Sequence, residues 1–161
     1  MSTARRYWLV KSEPDVFSWD DLWRLPKRTT HWDGVRNYQA RNFLRDQMQK
    51  GDRVFFYHSS AEPPAIVGIC EVARSGYPDA TAFDAKDPHY DARSDPAKPT
   101  WFVVDLKAVR AFPQPVTLPA MRAERSLARM PLLQKGSRLS VQPVGERDWE
   151  IVCRMAGVPP S

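Results

Sequence analysis

The stretch "RVFFYHSSAEPPAIVGICEV" (residues 53–72) decides how the rest of the chain is read. It holds two apolar runs, 53–59 and 65–72, rich in aromatic and β-branched residues and too short for buried helices, so both predict strands. Pro63-Pro64 separates them, and no glycine-rich phosphate loop follows either one, which argues against a nucleotide-binding α/β fold. Gly68, inside the second run, predicts a bulge or the close approach of another segment.

Working outward, "RYWLVK" (6–11) is a third strand signal, stopped by Ser12-Glu13-Pro14. Ser18 predicts the cap of a short helix over Trp19 to Leu25, with Asp21 completing a capping box and Pro26 ending it. "KRTTHWDGV" predicts loop or edge. Asn37 is the expected N-cap of a helix from about Tyr38 to Gln49, with Ala40, Phe43, Leu44 and Met48 facing the core. Two helices therefore separate the first two strands, which is not the regular alternation of a parallel sheet. Downstream, residues 76–99 predict a long loop of the kind that is functional or mobile. "WFVVDLKAVRAF" (101–112) and "RLSVQPV" (138–144) predict further strands. Thr117 starts a short helix, and Trp149, Val152, Cys153 and Ala156 mark the buried stripe of a terminal one. The pattern is α+β: a small curved mixed sheet or β-barrel decorated with short helices. With 161 residues, a single domain over 1–161 is expected.

The apolar share of 42% supports a core, and the charged share of 27% excludes global disorder. No apolar run approaches a membrane span and the N-terminus lacks a signal-peptide core, so no membrane partner is expected. Cys70 and Cys153 stand far apart in apolar contexts, which predicts packed thiols in a reducing, cytoplasmic compartment. The net charge of +5 is compatible with a polyanionic partner. Residues 1–50 carry ten Lys/Arg against six Asp/Glu, and residues 119–138 five against one; together they can form one basic face.

"WDGVRNYQARN" (32–42) is the leading candidate site. Trp32 precedes polar residues, so its ring is either the lid of a core or a platform on which a base stacks. Asp33 and Asn37 can read polar base edges, the carboxylate accepting from a cytosine amino group; Asp33-Gly34 can equally be a plain turn. Arg36, Arg41 and Arg45 flank the helix start, either as phosphate contacts or as an ordinary solvated face. Lys11 and Ser12, at the end of the first strand, can line a pocket mouth or merely meet solvent. His58 is a lone histidine, more often a satisfied edge residue than a catalyst. Asp87, His89 and Asp91 in "DPHYD" can in principle seat a metal, but no matching ligand cluster stands elsewhere, so no metal or cofactor is expected. No hydrolase, zinc-protease or kinase motif is present.

Taken together, "YWLVKSEP", "WDGVRNYQARNFLR", "GDRVFFYHS", "VGICEV", "DPHYD", "WFVVDL" and "SRLSVQPV" resemble the EVE domain family, in the family's order, from about Tyr7 to Trp149. The resemblance implies a PUA-like fold and a non-catalytic module that reads a modified base, notably a modified cytosine such as 5-methylcytosine, flipped into an aromatic-walled pocket in DNA or RNA. It implies pocket roles for Lys11, Ser12, Trp32, Asp33, Val35, Asn37, Tyr57 and His58, and less directly for Phe83, Tyr90, Arg138 and Ser140. Nucleic acid is then the partner of a monomeric chain. Two other readings stay open: an enzyme acting on a nucleotide or modified base with His58 or Asp33 as acid/base, and a module binding a small anionic effector.

Overall fold

The computed structural model describes residues 5–136 and 138–160. Met1 to Ala4 and Ser137, the first residue of the late motif, lie outside the described residues. Six strands form one mixed sheet: β1 (Tyr7–Ser12), β2 (Thr29–His31), β3 (Arg53–His58), β4 (Ala65–Pro78), β5 (Phe102–Thr117) and β6 (Val141–Val144), in the order β2-β5-β4-β3-β1-β6. Among the described residues only β1 and β3 run parallel, and the other ladders are antiparallel. A parallel pair needs a crossover rather than a hairpin, and the two helices between β1 and β3 supply it.

Short helices decorate the sheet: α1 (Trp19–Arg24), α2 (Tyr38–Asn42), α3 (Leu118–Ala123) and α4 (Glu146–Ala156). Ser18 caps α1 through the expected capping box: its side chain accepts from the Asp21 N–H while the Asp21 carboxylate accepts from the Ser18 N–H. Asn37 caps α2 by accepting from the Ala40 N–H at 3.0 Å. The expected helix to Gln49 is not one α-helix: after Asn42 the chain widens into a π-helical turn over Phe43–Gln47. Thr117 caps α3, and Gly157 ends α4 in the left-handed conformation.

Three strand boundaries differ from expectation. β4 runs on to Pro78 and β5 to Thr117, because shifts of register let the pair continue where regular pairing stops. Pro113 and Pro115 fall between Ala111, opposite Gly68, and Val116, opposite Ile66, where no ladder bond is asked of them. β6 is shorter than expected, beginning at Val141. β2 is the edge strand that "KRTTHWDGV" left open. Gly68 meets both expectations: the register shifts there, and an added Cβ would sit 2.5 Å from the Trp19 ring.

Both faces of the sheet are covered. Leu9 and Phe55 enter one apolar cluster with Phe112, Trp149 and Val152. Their neighbours Trp8, Val10, Val54 and Phe56 enter a second with Trp19, Leu22, Trp32 and Leu106. This explains why the strands read as nearly continuous apolar runs: alternation sends every second side chain to each face, and neither face is solvent. Cys70 and Cys153 are buried, and burial pushes both thiols up, that of Cys153 to about 12.

Candidate functional site

On the second face, α1 and the helical stretch holding Ala40 and Leu44 enter the apolar cluster. Beside them three further segments meet: residues 12–18, residues 29–35, and the loop holding His89. Between them lies a cavity of about 400 Å³, lined by Lys11, Ser12, Glu13, Val16, Phe17, Thr30, His31, Trp32, Asp33, Val35, His89 and Ser140. That volume lies within the range of small-molecule sites.

Trp32 forms the wall. It is 9% exposed, and its ring meets Phe56 at 5.6 Å and 83° and Phe17 at 6.2 Å and 71°. Edge-to-face contacts fix the indole without stacking another ring on it. The Trp32 backbone N–H donates to the Val104 carbonyl at 2.8 Å, which ties the end of β2 to β5. The two readings of Trp32, core lid and wall, are thus both met in placement: one side packs in the core and the residue lines the cavity.

The polar rim is built by the strand ends. The Lys11 N–H donates to the Ser140 carbonyl at 2.9 Å, bringing these two sequence-distant residues together. Burial lowers the Lys11 ammonium from its ordinary value. The Ser12 hydroxyl donates to the Phe17 carbonyl and so holds the 13–17 turn over the cavity. Burial, reinforced by the charge of Asp79, raises the Asp33 carboxyl, against the opposing effects of His31 and His89. The His31 ring lies 3.7 Å from that carboxylate.

A buried ion pair holds the mouth. Asp79, 1% exposed, accepts from the Gly34 N–H at 3.0 Å, the Arg36 guanidinium at 3.0 Å and the Thr81 N–H at 2.9 Å. Burial alone would raise the Asp79 carboxyl; the hydrogen bond donated by the Thr81 hydroxyl at 2.6 Å, then those from Gly34, Arg36 and the Thr81 N–H, outweigh it and hold it below its ordinary value. Arg36 also donates to the His89 carbonyl at 2.6 Å. The His89 ring in turn lies against Gly34, where a Cβ would stand 2.5 Å from its Nε2. Gly34 has φ +77°, so both its backbone and its neighbour call for glycine.

Of the residues nominated from sequence, Lys11, Ser12, Trp32, Asp33, Val35 and Ser140 come together here, and the others do not. Asn37 is exposed and spends its side chain on α2. Tyr57 packs in the opposite cluster. His58 accepts from the Trp19 N–H at Nε2, 3.0 Å, holding the start of α1. Its imidazole is lowered by burial, with Asp20 opposing. Phe83, Tyr90 and Arg138 do not line the cavity. Arg36 is turned inward, Arg41 donates to the Thr100 carbonyl at 2.7 Å, and Arg45 pairs with Asp46 at 2.8 Å. In "DPHYD", Asp87 accepts from the His89 N–H and Asp91 from the Trp101 indole, at 2.8 and 2.7 Å. Sequence reasoning did not nominate Glu13, Val16, Phe17, Thr30 or His31. The one signal for Val16 and Phe17 was an apolar pair within a polar connection.

Comparison with known proteins identifies this architecture. The EVE domain family model matches residues 6–155. The chain belongs to the EVE domain family. Among its EVE relatives, thymocyte nuclear protein 1 of Gallus gallus is 41% identical over 91% of this chain and 66% of its own length. The Homo sapiens protein of that name is 38% identical over 96% of this chain and 76% of its own. The chain thus spans about two-thirds to three-quarters of these relatives. A solved Pseudomonas syringae protein superposes with a TM-score of 0.87 at 46% identity, covering 93% of this chain and 99% of that one. The human THYN1 protein, crystallised in complex with DNA containing 5-methylcytosine, superposes with a TM-score of 0.88 at 38% identity, covering 96% and 99%.

Proposed function

We propose that this EVE domain is a non-catalytic reader of a modified base in nucleic acid, and that its ligand is a 5-methylcytosine of DNA turned out of the duplex into the cavity beside Trp32. The observation that carries this reading is the cavity itself, where one aromatic wall and a short polar rim share about 400 Å³. The likeness to the human protein crystallised with methylated DNA supports the choice of ligand.

The chemistry follows from the walls. Trp32 offers a π-surface, worth about 1–3 kcal/mol to a stacked base. Asp33 accepts from the exocyclic amino group of cytosine. Lys11 brings positive charge to the rim, where the base carries its carbonyl oxygen. Val16, Phe17 and Val35 supply apolar surface for a methyl group. A base inside a duplex cannot reach these groups, so recognition requires extrusion. Of the two acid/base candidates of the enzyme reading, His58 is occupied at the start of α1 and is not part of the cavity wall, whereas Asp33 lines the cavity and serves in this reading as a base-edge acceptor.

The test is direct binding to a panel of short single- and double-stranded DNA and RNA oligonucleotides carrying defined cytosine and adenine modifications. Tighter binding to DNA with 5-methylcytosine is expected. Equal affinity across the panel would refute the reading.

A further inference from the structure

The end of β2 that leads away from the cavity carries a second feature. Lys27 and Arg28, both exposed, adopt left-handed backbone conformations with φ 55° and 52°. Such conformations are strained for residues with a side chain and cluster at functional sites. The Arg28 guanidinium lies 3.7 Å over the Trp23 ring, which fixes the direction of its charge. Across the ladder, Lys107 of β5 stands opposite Thr29. Trp23, Leu25, Lys27, Arg28 and Lys107 together line a shallow depression.

Charge distinguishes this patch from the arginines that the sequence brought forward. Arg36 and Arg45 each pair with an aspartate, and Arg41 is tied to a carbonyl. Among the described residues, Lys27, Arg28 and Lys107 make no ion pair with a carboxylate. The patch also adjoins the cavity: Thr30 and His31 line it, and Arg28 lies two residues before Thr30, so their Cα atoms stand at most about 7 Å apart. A nucleotide whose base stood beside Trp32 would bring its phosphates to the cavity mouth, of which this rim is one side.

We infer that Lys27, Arg28 and Lys107 bind the phosphate backbone flanking the base held in the cavity, on the β2 side of its mouth. The inference rests on the base-reading function and adds to it the track taken by the strand. Unneutralised cations at fixed positions match a polyanion, and Trp23 holds Arg28 in place before the strand arrives.

The experiment uses the full chain and a DNA duplex with or without one 5-methylcytosine, with affinity measured over a series of salt concentrations. Replacing all three cations (Lys27→Gln, Arg28→Gln, Lys107→Gln) should lower the slope of log K against log salt by about 2–3, since each phosphate contact contributes about 0.9. Affinity should fall equally for both duplexes, leaving the methyl preference unchanged, and Arg45→Gln should leave the slope as it was. Should the triple variant melt early, Lys107→Gln alone, on the regular strand β5, should still lower the slope by about 0.9. An unchanged slope in a protein that keeps its methyl preference would overturn the phosphate track and leave the base reader standing. A reduced slope in a protein with no methyl preference would keep the track and remove the base reader. Absence of DNA binding by the unmodified chain would remove both.

Discussion

The two faces of the sheet draw on the same strands and are finished in opposite ways. On one, Phe55 stacks on Trp149 at 3.8 Å and 12°, Tyr7 stacks on the same indole at 4.7 Å and 26°, and α4 contributes Trp149 and Val152 to the cluster. On the other, the next residue, Phe56, meets Trp19 and Trp32 edge-on at 75° and 83°, and short helical segments share the cover with the loops that line the cavity. A helix satisfies its own backbone and can seal a core with apolar side chains alone. The segments around the cavity cannot; they are fastened by polar contacts such as Asp79 to Gly34 and Arg36. Where helices cover the sheet it is sealed as core, and where pinned loops join the cover a cavity with a polar rim is left.

The sharpest way to break this comparison is to remove one tryptophan from each face. Trp149→Ala should cost about 4 kcal/mol, as for an enclosed aromatic ring, and lower the melting temperature by about 10 °C. The methyl preference of the folded fraction should not change. Asp79→Ala should cost about 3 kcal/mol, because it strands the Arg36 guanidinium and the Gly34 N–H. The Asp79 carboxyl lies below its ordinary 3.8 in the folded state, so its contribution is present above that pH and lost as pH falls through the folded value. Wild type and Asp79→Ala melting curves should therefore converge toward acid.

Trp32→Ala should cost less, about 2–3 kcal/mol, because one side of the ring already borders the cavity. It should cost more in recognition, by roughly five- to a hundredfold in affinity for the modified base. A stability loss equal to that of Trp149→Ala would erase the distinction between the faces. The smallest effect belongs to Asp33→Asn. The Asp33 carboxyl is raised in the folded state, so its stabilising contribution is full below its unfolded value and lost as pH rises through the folded value. Melting measured across that window should show Asp33→Asn gaining on the wild type as pH rises, with no gain at the acid end.

Local features were legible in the sequence because their causes are local. Ser18 and Asp21 predict a capping box three residues apart, Gly68 announces a close approach, and Trp149 to Ala156 mark the buried stripe of α4. The assignment of residues to faces was less legible. In "RVFFYHS" both parities are apolar, so nothing in the run says that Phe56 borders Trp32 while Tyr57 joins the other cluster. Arg36 read as a surface cation because its partner, Asp79, is 43 residues away. Phe17 and His31 line the cavity through chain crossings that no periodicity encodes. Lys11 and Ser12 were legible as a strand end, and Trp32 and Asp33 as an aromatic and polar break in the chain, but only the resemblance to the EVE domain family joined them into one group.

The central claim is that the cavity beside Trp32 reads a base, and the ratio of affinities for methylated and unmethylated DNA tests it most directly. One duplex differing only in a single cytosine methyl group should be measured against the wild type and against Trp32→Ala, with melting curves beside each. A methyl group packed in an apolar pocket is worth about 1–3 kcal/mol. The account predicts that the wild type prefers the methylated duplex by about tenfold or more, and that folded Trp32→Ala binds both duplexes weakly and alike. Equal affinity of the wild type for the two duplexes, or an undiminished preference in folded Trp32→Ala, would contradict it.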